Sequence, residues 1–262
     1  MTTGEIAFGV FTKPWKMPLP ELAPFVKGLG FDAIELPVRP GFQVVPEKVA
    51  EDLPRAVKVF AESGVTIASV AGPTDERTIA ACGDAGVPII RVMVEIGDDG
   101  YLASEARAQK QFDAKVPLLD RYGVKIGVQN HCDRYVCNAM GLRHLMEKYD
   151  PKHIGAVWDA AHAGLNGEDP ELGIDIVWSH LCLVNLKNAF WRRKTGPESD
   201  DVEWRHYWTS GRQGLASWPR AAAELKRRGY KGAICITAEY DDHAATNRLA
   251  AEDVAYARSL FA

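Results

Sequence analysis

Short apolar runs recur along the chain, each preceded by a glycine and by a segment of helical periodicity. The unit appears as Gly30-Phe-Asp-Ala-Ile-Glu-Leu, Gly64-Val-Thr-Ile-Ala-Ser-Val and Gly86-Val-Pro-Ile-Ile-Arg-Val. It returns as Gly123-Val-Lys-Ile-Gly-Val and Gly229-Tyr-Lys-Gly-Ala-Ile-Cys-Ile. Glycine closes a helix in the left-handed conformation, and a nearly continuous apolar run is the pattern of a strand covered on both faces. Ile6–Phe11, Ile154–Trp158 and Leu181–Val184 bring the strands to eight.

Amphipathic patterns fill the intervals at Leu19–Leu29, Pro46–Ser63, Asp75–Ala85, Ser104–Tyr122, Ala139–Tyr149, Pro170–Ser179, Ser217–Arg228 and Ala244–Phe261. Eight alternating units of roughly 33 residues predict an α/β chain folded as a single (β/α)8 barrel over residues 1–262. The alternative is an open, doubly wound sheet, but no G-x-G-x-x-G follows the first strand.

In such a barrel the C-terminal strand tips converge on one mouth. Four runs end there in a polar residue: Lys125–Gln129, Ile154–Asp159, Leu181–Asn185 and Ala233–Glu239. Strand alternation pairs Gln129 with His131, Asn185 with Lys187 and Thr237 with Glu239 on common faces, and His162 follows Asp159 by three residues. Carboxylate and amide oxygens together suit a hard cation or the hydroxyls of a polyol. Asp159 also has the position of a helix N-cap, and the two amides could serve loop backbone instead. A lysine ending a buried strand is costly without a partner, which marks Lys187 for a ligand anion or carbonyl. Glu35 and Glu95, at two further strand ends, read as supporting groups. His144, His153, His180 and His206 carry no spacing signal. The five cysteines lack zinc spacing and read as small core residues.

Residues 188–217 show no clear periodicity but hold Trp191, Arg192, Arg193, Trp204, Arg205, Tyr207, Trp208 and Arg212. Aromatic faces there, Trp191 first, suit a sugar ring, and Arg192 suits an anionic group. The same residues equally suit a subunit interface, so a homo-oligomer is compatible with the chain.

Charge narrows the function classes. A net charge of −4 argues against an electrostatic nucleic-acid binder, which would usually show a basic face. No apolar stretch is long enough for a membrane span, and the first residues, Met-Thr-Thr-Gly-Glu, lack a signal-peptide pattern. With an odd number of scattered cysteines, a reducing cytoplasm is the expected location.

Several segments resemble the xylose-isomerase-like sugar phosphate isomerase/epimerase family of TIM barrels. They are Trp158-Asp-Ala-Ala-His162-Ala-Gly with Glu168-Asp-Pro170, Gln129-Asn-His131, Asn185-Leu-Lys187-Asn and Gly229-Tyr-Lys-Gly232 through Glu239. The resemblance implies a divalent metal held by Glu, Asp, His and Glu, with the two glutamates moving the substrate proton. Of these four positions only Asp159 is carried over. Gln129, Asn185 and Thr237 stand at the other three, and Glu239 lies one pleat beyond. An amide has no proton-accepting state near neutrality, so Gln129 cannot be the base.

The resemblance therefore implies a sugar, sugar phosphate or sugar acid isomerase or epimerase working through an enediolate. Glu239 is the leading base, with His131 or His162 as alternative acid/base groups. Lys187 would polarise the carbonyl, and Gln129, Asn185, Glu35, Trp191 and Arg192 would contact substrate. Asp159 and Glu239, with Gln129 and Asn185 as weak ligands, form the candidate metal set. No tightly bound cofactor is expected, and weak magnesium or manganese is the most the set allows. The competing expectations are a barrel without catalysis that binds a sugar or a protein, and a lyase or hydrolase on the same scaffold.

Overall fold

The computed structural model of the protein describes residues 6–262. Eight parallel strands close into a barrel: β1 (Ala7–Phe11), β2 (Ala33–Pro37), β3 (Thr66–Ala71), β4 (Ile89–Val92), β5 (Lys125–Gln129), β6 (Ile154–Asp159), β7 (Leu181–Leu186) and β10 (Ala233–Ile236). β10 pairs with both β1 and β7, which completes the ring. Around it lie α1 (Leu19–Gly28), α2 (Val49–Glu62), α3 (Glu76–Asp84), α4 (Tyr101–Tyr122) and α5 (Ala139–Met146). The ring of helices continues with α6 (Ala160–Leu165), α7 (Pro170–Val177), α8 (Trp218–Arg227) and α9 (Thr246–Phe261). No helix among the described residues is long and apolar enough to cross a membrane.

The expected eight strands and eight major helices are all present. Between β7 and α8 the structure adds what periodicity did not reveal, an antiparallel hairpin of β8 (Asn188–Arg193) and β9 (Trp204–Thr209). Its apolar and charged residues are interleaved with polar ones on a two-stranded ribbon, so neither face reads as a buried stripe. α6 was also unforeseen. Its six residues, Ala-Ala-His-Ala-Gly-Leu, are too few to show a helical period.

The outward strand faces, including Val10, Ile34, Ile90, Ile126, Trp158 and Ile234, pack with helix residues such as Leu22, Leu53, Leu119 and Leu225 in one continuous core. Inside the barrel the layers alternate in chemistry. Ala33, Ala68, Ile89, Val157, Leu183 and Ala233 fill an apolar layer. The next inward residues toward the mouth are Glu35, Arg91, Asp159, Asn185 and Cys235, each two positions on from a member of that layer, and Gln129, two on from Gly127. Two irregularities set this upper layer. An extra residue in β3 brings Ser69 opposite Glu35, and another in β7 brings Asn185 opposite Asp159.

Candidate functional site at the barrel mouth

Asp159 is the centre of the upper layer and is fully buried. It is both the N-cap and the site residue that the sequence offered as alternatives. Its Oδ1 accepts from the backbone N–H groups of Ala161 and His162, at 3.0 and 3.2 Å, and starts α6. Its Oδ2 accepts from Gln129 Nε2 at 2.8 Å and from Asn185 Nδ2 at 3.4 Å. Asn130 locks the backbone in turn, since its side chain both donates to Asp159 O and accepts from Asp159 N. Burial pushes the Asp159 carboxyl up to about 6, against the opposing pull of Lys187 and these hydrogen bonds.

The two amides turn their nitrogens to Asp159, which leaves Gln129 Oε1 and Asn185 Oδ1 buried without a partner among the described residues. His162 Nε2 is in the same condition. It lies 3.9 Å from Asp159 Oδ2, too far for a hydrogen bond.

The two histidines carry their protons on different atoms. His131 Nδ1 lies 2.8 Å from the Cys132 carbonyl, which can only accept, so Nδ1 holds the proton and Nε2 is bare. His162 Nδ1 lies 3.1 Å from the Cys132 backbone N–H, which can only donate, so here Nδ1 is bare and Nε2 holds the proton. The rings face one another with centroids 4.0 Å apart. Burial first, and the Lys187 charge with it, keeps both rings below the ordinary histidine value, His162 well below. Both are therefore neutral near pH 7, one an acceptor and the other a donor.

Glu239 reaches the mouth by a different route from the one expected. β10 ends at Ile236, and Ala238 takes a positive φ of 52°, so strand alternation does not carry on to residue 239. The carboxylate accepts from Lys187 Nζ at 2.8 Å and from Lys13 Nζ. Burial would raise its pKa, but Lys187 and then Lys13 outweigh that and hold it at about 2. A carboxylate so held is a weak base. Lys187 also lies over the Trp208 ring, 3.5 Å from its centroid.

The hairpin supplies that ring. Trp208 packs edge-on to His162 at 5.2 Å, and the Trp208 carbonyl accepts from Asp241 N. Of the loop aromatics it is Trp208 that meets Lys187 and His162. Trp191 instead donates its indole N–H to Leu165 O, and Arg192 stacks on Tyr207 along an exposed part of the ribbon. Neither makes a hydrogen bond or ion pair with Asp159, Lys187 or Glu239 among the described residues.

On the opposite wall Glu35 is buried with Arg91, which grips it through Nε and Nη2, while Ser69 Oγ donates to it at 3.0 Å. Glu35 is thus fully engaged within the protein. Arg91 was not singled out from sequence, because it sits inside an apolar run where a charge without a visible partner carries no assignment. Glu95 lies beyond the end of β4, exposed and bridged to Tyr135, away from this network.

These residues do not fit a divalent cation. An ionised carboxylate offers about four acceptor positions, and Asp159 has already committed four. Both oxygens of Glu239 face lysines, and a neutral amide oxygen is a weak ligand by itself. A softer set, His131, Cys132 and His162, brings one ligand atom from each within 4.8 Å. It fails for another reason. The bare nitrogen of His162 is occupied by Cys132 N–H, and burial pushes the Cys132 thiol up to about 12.

The model of the xylose isomerase-like TIM barrel family matches residues 24–260, and the chain belongs to that family. No curated protein matches it. Among solved structures it is similar to D-psicose 3-epimerase with D-tagatose from Clostridium cellulolyticum H10, at 12% identity and a TM-score of 0.72, covering 97% of this chain and 99% of that one. It is similar to 3-keto-D-glucoside 4-epimerase from E. coli at 12% identity and TM-score 0.72, covering 97% and 100%. The probable 3-DHS dehydratase of Bacillus anthracis aligns at 12% identity and TM-score 0.71, covering 95% and 98%. At these identities the likeness is one of fold, on which epimerase and dehydratase chemistry both occur.

Proposed function

We propose that this member of the xylose isomerase-like family is a sugar isomerase or epimerase that moves a proton next to a carbonyl without a metal ion. The observation that carries the reading is the pair of neutral histidines with opposite proton placement at the mouth. Enolisation needs one group that takes a proton from carbon and another that supports the oxygen as it gains charge. His131 Nε2 has the free lone pair for the first task. His162 Nε2–H, buried and without a protein partner, has the donor for the second, and Lys187 supplies positive charge beside it.

In the proposed step, the C–H bond breaks and its proton passes to His131 Nε2. The bonding electrons flow to the carbonyl oxygen, which becomes the enediolate oxygen held by His162 and Lys187. Passage of the hydroxyl proton from the second oxygen to the first, followed by return of the carbon proton to the neighbouring carbon, gives the isomer. Return to the opposite face of the original carbon requires a second proton carrier, a role this reading gives to Lys187. Gln129 Oε1 and Asn185 Oδ1 would accept from substrate hydroxyls, satisfying two buried oxygens that are otherwise unpaired.

The test is deuterium uptake from solvent into a panel of ketoses, aldoses and sugar acids, read by NMR. His131→Gln is expected to lower the exchange rate by about 10²–10⁴-fold, a typical general-base contribution. Exchange unaffected by that substitution removes His131 from the mechanism. Measurable sugar binding with no exchange in any panel member replaces the enzyme with a non-catalytic binder.

A further inference from the structure

The cations around the mouth are not all paired. Lys13 and Lys187 share Glu239, and Arg91 is bound to Glu35. Asp159 and Asp75 also border the mouth or its adjoining cavity, and neither forms an ion pair with Arg39. Of the four cations here, Arg39 is the one without a salt-bridge partner among the described residues. It follows β2 in the turn to Val44, whose carbonyl accepts its backbone N–H. Its guanidinium is half-buried over the Phe11 ring, 5.7 Å from the centroid, and Arg91 lies over the same ring at 4.8 Å. Among the described residues, no side-chain hydrogen bond or ion pair engages it.

A guanidinium kept partly out of water beside another cation is unfavourable unless something repays it. Arg39 and Arg91 together line a cavity of about 500 Å³ with Val38, Pro40, Gly72 and Met93. Asp75 also borders the cavity, but its carboxylate is occupied in capping α3 through Thr78 N and Oγ1. The cavity adjoins the upper layer through Arg91, which belongs to both. Its free donors are therefore those of a planar, permanently charged fork, matched to an oxyanion.

We infer that Arg39 reads an anionic group on the substrate, so that the sugar handled at this mouth is a sugar acid or a sugar phosphate rather than a neutral sugar. This rests on the sugar-enolisation reading for the nature of the ligand, but not for the location of the anion subsite. The reacting carbons would lie by His131 and His162, and the carboxylate or phosphate would lie across the mouth against Arg39. Arg192, the sequence-based choice for such a group, is exposed on the hairpin and stacked on Tyr207.

The experiment is calorimetric binding of matched pairs: hexuronates and aldonates against the parent aldoses, and ketose and aldose phosphates against the free sugars. Inorganic phosphate and acetate serve as fragment probes. The intact protein is expected to prefer at least one anionic member of a pair, and the carboxylate and phosphate arms distinguish which group is read. Arg39→Gln is expected to weaken binding of that anion by about 10–100-fold, the usual range for losing a charge-assisted contact, and to leave the neutral parent unchanged. Arg39→Lys keeps the charge without the fork and should fall between. Equal binding of every pair by the intact protein, no binding of any anionic member, or an anion preference that survives Arg39→Gln would overturn the inference. Deuterium exchange is scored separately. Anion preference without exchange leaves the subsite standing and defeats the enzymatic reading, whereas exchange on neutral sugars without anion preference does the reverse.

Discussion

Two walls of the same barrel mouth place polar residues at the same height and use them differently. On the β2–β4 wall, Glu35, Ser69 and Arg91 form a closed network in which the acid is gripped by a guanidinium fork and a hydroxyl. On the β5–β7 wall, Gln129, Asp159 and Asn185 also form a network, yet it ends in two buried carbonyl oxygens and one imidazole N–H with no protein partner. Burying polar atoms is tolerable where they satisfy each other and unfavourable where they do not. The first wall holds itself together. The second leaves two acceptors and one donor to be satisfied from outside the protein. In the proposed reading the chemistry belongs to the β5–β7 side, and the opposite side shapes the mouth and, through Arg39, reads charge.

The contrast breaks most visibly in stability. Arg91→Met leaves Glu35 buried without its counter-charge and is expected to destabilise the fold by about 3–5 kcal/mol. Urea unfolding measures this, and adding Glu35→Leu to the same chain should restore most of it, because no unpaired charge then remains. Gln129→Met removes one neutral donor from Asp159 and should cost clearly less. Equal losses for Arg91→Met and Gln129→Met would show that the two walls are equivalent structural networks.

A second comparison lies within the Lys187–Glu239 pair. Lys187→Met removes positive charge from beside His162 and should lower deuterium exchange by about 10²–10³-fold, as for loss of an oxyanion stabiliser. Glu239→Gln should lower it by less than about tenfold, since a carboxylate held near 2 is a poor proton acceptor at neutral pH. The pair also fixes a sign in acid. Glu239 is held below its unfolded value, so its contribution to stability is present above about pH 4.3 and is lost as pH falls toward about 2. Glu239→Gln should remove that part of the acid slope. A loss of exchange in Glu239→Gln as deep as in Lys187→Met would return the base role to Glu239.

How much of this could be read from residues alone differs by element. The eight barrel strands were legible because burial on both faces writes an apolar run, and the helices because one face must meet the barrel. Gln129, Asp159 and Asn185 were legible as strand tips, and the upper interior layer does bring them together. The hairpin was not, because a two-stranded ribbon needs no apolar stripe, and Trp208 stayed hidden among the other aromatic and arginine residues of that segment. Arg91 was invisible for want of its partner, 56 residues away in sequence. The proton positions on His131 and His162 depend on two backbone groups of Cys132, which no sequence pattern encodes.

The smallest expected effect concerns metal. If the β5–β7 wall were a cation site, Asp159 would need an unshared lone pair, but its four acceptor positions are taken by two backbone N–H groups and two amides. A cation would have to turn both amides so that their oxygens faced it, which strips two donors from a buried carboxylate. It would also have to approach the Lys187 ammonium, which is close enough to act on Asp159. Dialysis against a chelator is therefore expected to leave the melting temperature and the deuterium exchange unchanged, and added manganese or magnesium should raise neither. A melting temperature that climbs with manganese in the intact protein, but not in Asp159→Asn, would mean that the amides do turn. The β5–β7 wall would then be a metal site with weak ligands, and the proton transfer assigned to the histidines would have to be reconsidered around it.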